Sequence, residues 1–190
     1  MLEKLIDKLI VNGIITSDEQ DIVMYGLQNI ELNLIGLLIT IIIGIIFGKF
    51  HDAVMLWIMM FPLRKNAGGF HAKTKKRCIF ISAAMIGFVF VLFNVIELSS
   101  NMLLLIGIIC GVLIFWMSPV HTINKLLDDK EIYVYKRRTR VILVTETFFL
   151  ILSYLFNWMI LERIVVMTFF IIAIALSTGH IQVYLLHRSE

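Results

Sequence analysis

Apolar runs long enough to cross a membrane alternate with short charged connections along most of this chain. The opening residues differ, because Leu2, Leu5, Ile6, Leu9 and Ile10 recur at helical spacing with Glu3, Lys4, Asp7 and Lys8 between them. That is the pattern of an amphipathic helix lying along a membrane surface. Thr16-Ser17-Asp18-Glu19 reads as a capping box opening a second helix through Ile22, Val23 and Leu27 and on into the first span. Residues 1–29 thus form an amphipathic N-terminal region that lacks the short apolar core and small-residue site of a cleaved secretory signal. Spans are expected at residues 30–48, 53–63, 79–97, 102–120, 141–161 and 164–185. The second is short: as a helix it covers about 17 Å, against a hydrocarbon core of ~30 Å. Either residues 50–52 and 64–67 complete it with Lys and Arg snorkelling, or the bilayer thins around it.

Composition turns this pattern into a class. Of 190 residues, 59% are hydrophobic and only two are proline, and the mean hydropathy is +0.92. No soluble domain of this size has such a make-up. The expected fold is all-α: a polytopic integral membrane bundle of about six spans plus the N-terminal interfacial helix, forming a single integral domain over residues 1–190. Charge then orients it. Six spans put fifteen of the seventeen Lys and Arg residues on one side, leaving Lys49 and Arg163 on the other. This asymmetry makes the protein multi-pass in the cell membrane, with both termini and the connections 64–78 and 121–140 in the cytoplasm. It also favours a true crossing at 53–63, without which the first basic connection would lie opposite the N-terminus.

The candidate chemistry sits in the first of those connections. Residues 64–78, Arg-Lys-Asn-Ala-Gly-Gly-Phe-His-Ala-Lys-Thr-Lys-Lys-Arg-Cys, form a basic island that contains both His71 and Cys78. A thiolate is a strong nucleophile, an imidazole can take the thiol proton, and nearby positive charge favours ionised sulfur. Geometry imposes a condition: on one continuous helix His71 and Cys78 would be roughly 10 Å apart along the axis. The Gly68-Gly69 pair therefore predicts a turn, with Thr74 as N-cap of a new helix holding Cys78 near its start, where unpaired backbone N–H groups favour a thiolate.

With Arg64-Lys65, Gly68-Gly69, Phe70, His71, Thr74 and Cys78 in this order and spacing, the segment resembles the accessory gene regulator B (AgrB) family. These are integral-membrane cysteine endopeptidases that process quorum-sensing propeptides. The length and hydrophobic layout are similar over nearly the whole chain. A second, weaker likeness covers Ser118-Pro119-Val120, Asn124-Lys125 and the run Lys136-Arg137-Arg138 with Arg140, although Leu126 stands where the family often has proline. The resemblance implies that His71 and Cys78 are the catalytic pair, and that an enzyme-bound thioester is resolved by an internal cysteine or serine of the propeptide to give a thiolactone or lactone. It implies as partners the lipid bilayer and a small propeptide with an amphipathic leader and an acidic tail. Arg64, Lys65, Gly68, Gly69, Lys136, Arg137 and Arg138 are the expected substrate-binding residues. Asp128 and Glu131 are carboxylates to test for orienting His71.

No cofactor is expected. The two cysteines, Cys78 and Cys110, have neither disulfide-framework nor metal-ligand spacing, and neither nucleotide-binding glycine pattern occurs. Nucleic acid is not an expected partner, and dimerisation is compatible with so small a bundle. Cys110, inside an apolar span, reads as packing. His51 falls on the opposite side, while His121 and His180 rank below His71, the latter as an inter-helix contact. Glu146, within the fifth span, is either a functional intramembrane carboxylate or a partner for Arg140. Two other classes stay open: a transporter or channel built around Glu146 and His180, and a noncatalytic partner whose basic loops recruit a peptide.

Overall fold

Asn157 adopts φ +56°, a left-handed conformation that Asn tolerates better than most residues, and this one residue decides where the last two helices part. Trp158 N–H donates back to Ser153 O at 2.8 Å and Asn157 N–H to Tyr154 O at 3.3 Å, closing off the preceding helix as a left-handed cap does. The turn therefore falls at 156–158 rather than at the expected 162–163. Arg163 lies within the last helix, whose first turn also holds Glu162. Neither a charge nor a glycine at 156–158 marks the break. Asn157→Val is expected to cost about 1–2 kcal/mol, the strain of a β-branched residue in this region, and Asn157→Gly very little; thermal unfolding in detergent compares the two.

The structure, a computed structural model, describes residues 2–70, 74–120 and 128–188. Among these, the α-helices are α1 Leu2–Val11, α2 Gln20–Ile46, α3 Phe50–Ala67, α4 Lys75–Val95, α5 Ser100–Met117, α6 Asp129–Leu155 and α7 Met159–His187. The described residues contain no β-strand, only an isolated parallel bridge between Gly68 and Val120. Two compact units are present, Met1–Ile39 and Thr40–Glu190, with the boundary inside α2.

In the first unit, α1 is the expected amphipathic helix, closed by Gly13 at φ +67°. A short 3-10 turn, Ser17–Glu19, precedes α2. Glu19 Oε2 accepts from both the backbone N–H and the hydroxyl of Thr16, at 2.9 and 3.0 Å. Those bonds hold the Glu19 carboxyl below its ordinary pKa. Half of the expected capping box is thus present, with the hydroxyl bonded to the carboxylate instead of to the backbone.

In the second unit, helix directions follow from contacts at the helix ends. Val120 N–H donates to Ala67 O at 3.0 Å and Phe70 N–H to Ala175 O at 2.8 Å, so the C-terminal ends of α3 and α5 and the later turns of α7 share one end of the bundle. At the other end Ser100 Oγ donates to Glu162 Oε2 at 2.7 Å, joining the starts of α5 and α7. Helix α6 runs the opposite way: Tyr154 hydroxyl donates to Asn101 Oδ1 at 2.9 Å at one end, while the Arg140 guanidinium lies 4.3 Å over the Phe115 ring at the other. Because α4 joins Ala67 to Ser100, it must return across the bundle. Both basic connections therefore open at the same end, as the charge pattern required.

Helix α7 is central, touching α3, α4, α5 and α6. Most of its residues from Ile164 to Leu176 are buried, as expected for a helix that is apolar all round. Among the described residues, four helices, α2, α4, α5 and α7, are long and apolar enough to cross a membrane, and α3 and α6, at the expected second and fifth spans, are not among them. Helix α3 has 18 residues, roughly 27 Å of helix, so residues 50–52 and 64–67 do extend the short apolar stretch. Ile58, Phe88, Leu105, Ile108 and Val144 are among the exposed large hydrophobics, and such an apolar outside fits lipid better than water.

Candidate active site

The site is built from the end of α3. Residues 64–67 complete the last helical turn, and Gly68 ends it at φ +77°, its N–H still donating to Arg64 O at 3.2 Å. Gly69 follows at φ +127°. No side chain fits there easily: a methyl on Gly69 would meet the Arg64 guanidinium and lie 2.9 Å from Ala175 O. The two glycines thus serve the backbone, turning the chain away from α3 and pressing it onto α5 and α7.

Arg64 fixes that turn. Its Nη1 donates to Gly68 O at 2.7 Å and its Nη2 to Phe70 O at 2.9 Å, so one guanidinium fork spans both ends of the Gly-Gly-Phe segment. Backbone pairing does the rest, through Val120 N–H to Ala67 O and Phe70 N–H to Ala175 O. Gly179 allows the approach, since a methyl there would lie 2.9 Å from both Gly69 C and Phe70 N. The Arg64 guanidinium also interacts electrostatically with Cys78. The arginine that staples the turn is therefore also an electrostatic neighbour of the thiol.

Helix α4 then begins as the spacing predicted. Thr74 is its N-cap, with Oγ1 accepting from Arg77 N–H at 3.4 Å and its carbonyl from Cys78 N–H at 3.0 Å. Cys78 is half-buried and in no disulfide, one position past the first turn. Its own amide is thus occupied. The N–H groups of Lys75 and Lys76 are the first-turn donors for which the helix has no internal acceptor. His71 lies outside the described residues, as do His121, Asn124 and Lys125.

The other expected residues divide clearly. Lys65 is exposed in the last turn of α3. Lys136 and Arg137 line a groove on α6 together with Arg140, which Arg138 does not. Glu131 Oε2 accepts from Asp128 N–H at 3.4 Å in the capping box of α6, so both carboxylates take part in starting that helix. The pairing of Glu146 with Arg140 does not form: Arg140 stacks on Phe115, and Glu146 is buried with Oε2 unpartnered among the described residues. Six positions apart, the two residues point to different sides of the helix. His180 is an inter-helix contact, its Nε2 2.9 Å from Met117 O. Cys110 is buried core, and His51 stands in the first turn of α3, at the far end from Cys78.

Sequence reasoning missed Ala175 and Gly179, and saw Val120 only as part of the weaker likeness; the three form the platform under the glycine turn. One signal was available: Ser177-Thr178-Gly179-His180 interrupts the last apolar span with small and polar residues, as happens where backbones pack closely.

These features define a class: a helical membrane protein in which an arginine-stapled glycine turn leads to a thiol at the start of a transmembrane helix. Its family follows from comparison with known proteins. The model of the family Accessory gene regulator B matches residues 2–186, and the chain belongs to that family, which is involved in quorum-sensing peptide processing. FsrB of Enterococcus faecalis is 29% identical over 111 residues, covering 57% of this chain and 46% of FsrB, so the match spans less than half of that relative. An AgrB-like protein of Clostridium perfringens strain SM101 is 25% identical over 176 residues, covering 86% of this chain and 82% of the relative. A second AgrB-like protein, from strain 13 of that species, is 24% identical over 122 residues, covering 60% and 57%. No solved structure matches.

Proposed function

We propose that this protein is a membrane cysteine endopeptidase that cuts a small signalling propeptide at the cytoplasmic face and promotes its cyclisation. The observation that carries the proposal is the break between α3 and α4, which sets Cys78 at a helix start beside Arg64 and leaves His71 in the intervening segment. His71 takes the Cys78 proton, and the thiolate attacks a peptide carbonyl. As the C–N bond breaks, the imidazolium returns the proton to the departing amine. An internal thiol or hydroxyl of the propeptide then attacks the thioester, forming the ring and releasing Cys78 as a thiol. With a thiol as attacking group, one thioester replaces another and no energy source is needed for that step.

The amides of Lys75 and Lys76 are the oxyanion donors in this scheme. Arg64 is engaged by two carbonyls, so Lys65, Lys136, Arg137 and Arg138, all exposed, are the expected cations left to meet an acidic propeptide tail. The test is to reconstitute the purified protein with its propeptide and look by mass spectrometry for a hydroxylamine-sensitive adduct on Cys78. Cys78→Ala is expected to lose both adduct and processing, and Cys78→Ser to give at most a slow ester. Processing that survives Cys78→Ala would sink the mechanism.

A further inference from the structure

Helix α6 carries a feature that an acidic propeptide tail does not account for. A groove of about 510 Å³ runs along one of its faces, lined by Tyr133, Lys136, Arg137 and Arg140 and then, further along the helix, by Val141 and Val144. These positions repeat at helical spacing, and Arg138 is turned away from them. The basic part lies at the same end of the bundle as the glycine turn, since Arg140 packs over Phe115 near the end of α5. The valines lead from there towards the far end, along the stretch of α6 expected to enter the bilayer.

We propose that this groove binds an anionic phospholipid, the cations holding its phosphate and the valine stretch its first acyl segments. The order of residues argues for this occupant. Lys136 to Val144 is roughly 12 Å of helix, enough to pass the ~5–8 Å headgroup layer of one leaflet and enter hydrocarbon. Val141 and Val144 are 60% and 67% exposed. An acidic peptide tail alone would satisfy the cations and leave these valines uncovered, whereas a phospholipid carries both chemistries in the matching order. No carboxylate is among the described residues lining the groove. Arg140 is held by its stack on Phe115, with a buried Nε that has no hydrogen-bond partner among the described residues. Basic clusters at the cytoplasmic boundary of transmembrane helices are suited to such headgroups.

The experiment uses the full chain in mixed micelles containing phosphatidylglycerol or phosphatidylcholine, read by native mass spectrometry and by lipid-dependent thermal shift. Phosphatidylglycerol is expected to remain bound and to stabilise, and phosphatidylcholine to do neither. Binding should weaken about fivefold for each charge removed in Lys136→Gln and Arg137→Gln, stay unchanged in Arg138→Gln, and fall in Val144→Asp with all cations present. Should Lys136→Gln fail to fold, Arg137→Gln alone carries the same test. Equal retention of the two lipids, or indifference to Arg137→Gln, overturns the proposal. So does stabilisation by glycerol 3-phosphate or by a soluble acidic peptide that matches or displaces the lipid, since the first would mark a free-phosphate site and the second a peptide site.

Discussion

Arg64→Ala is expected to slow formation of the Cys78 adduct at least about a hundredfold while leaving the helical content of the protein intact. The change removes two charge-assisted hydrogen bonds, to Gly68 O and Phe70 O, each contributing about 1.5–3 kcal/mol. It also removes the positive charge beside Cys78. Lysine offers a single point charge in place of a planar fork and cannot span two carbonyls two residues apart in the same way, so Arg64→Lys should recover only part of the rate. A readout independent of activity is available in the Phe70 amide, which donates to Ala175 O in the stapled turn. Hydrogen exchange at Phe70 should accelerate in Arg64→Ala and stay slow in Cys78→Ala. If Phe70 remains protected in Arg64→Ala, the staple is not what holds the segment.

The second large effect is expected from the glycine contact beneath the turn. In Gly179→Ala the new methyl meets backbone atoms of Gly69 and Phe70 at 2.9 Å, and neither can rotate away as a side chain would. Moving the turn off α7 costs about 1–3 kcal/mol, the usual range for overpacking, and lengthens the Phe70–Ala175 bond. Gly69→Ala should be worse, because it adds left-handed strain to contacts with both Arg64 and Ala175 O. Gly26→Ala is the control. It lies in α2 with nothing within 4 Å of the added methyl, and should be neutral or slightly stabilising through helix propensity. Thermal unfolding and Cys78 adduct formation, measured on the three variants, check the order.

What could be read in the sequence was what local chemistry decides. Thr74 is an N-cap because a hydroxyl beside a helix start finds an unpaired N–H, and the Gly68-Gly69 turn follows from backbone freedom. Both are visible in a few residues. The helical membrane class came from composition, and the shared end of the two basic connections from counting Lys and Arg. Contacts distant in sequence were not legible. Nothing around Arg64 announces that its guanidinium turns back onto its own chain, so it read as a ligand for substrate. Ala175 and Gly179 lie more than a hundred positions from the turn they support. Asn157 was hidden for a different reason: one residue in an unusual conformation ends α6 without altering hydropathy, while the charged pair at 162–163 drew the boundary towards itself. Buried against Ser100, Glu162 marks a packed helix start where a loop was expected.

The joint between the glycine turn and its platform is made largely of peptide groups: Val120 N–H with Ala67 O, and Phe70 N–H with Ala175 O. Peptide groups are the same whatever side chains they carry. A joint of this kind can outlast wholesale replacement of the surrounding apolar residues, provided that three positions stay free of a Cβ and one arginine keeps its fork. Two chains with only about a quarter of their residues in common, as this one and its clostridial relative have, need not share a core to share such a joint.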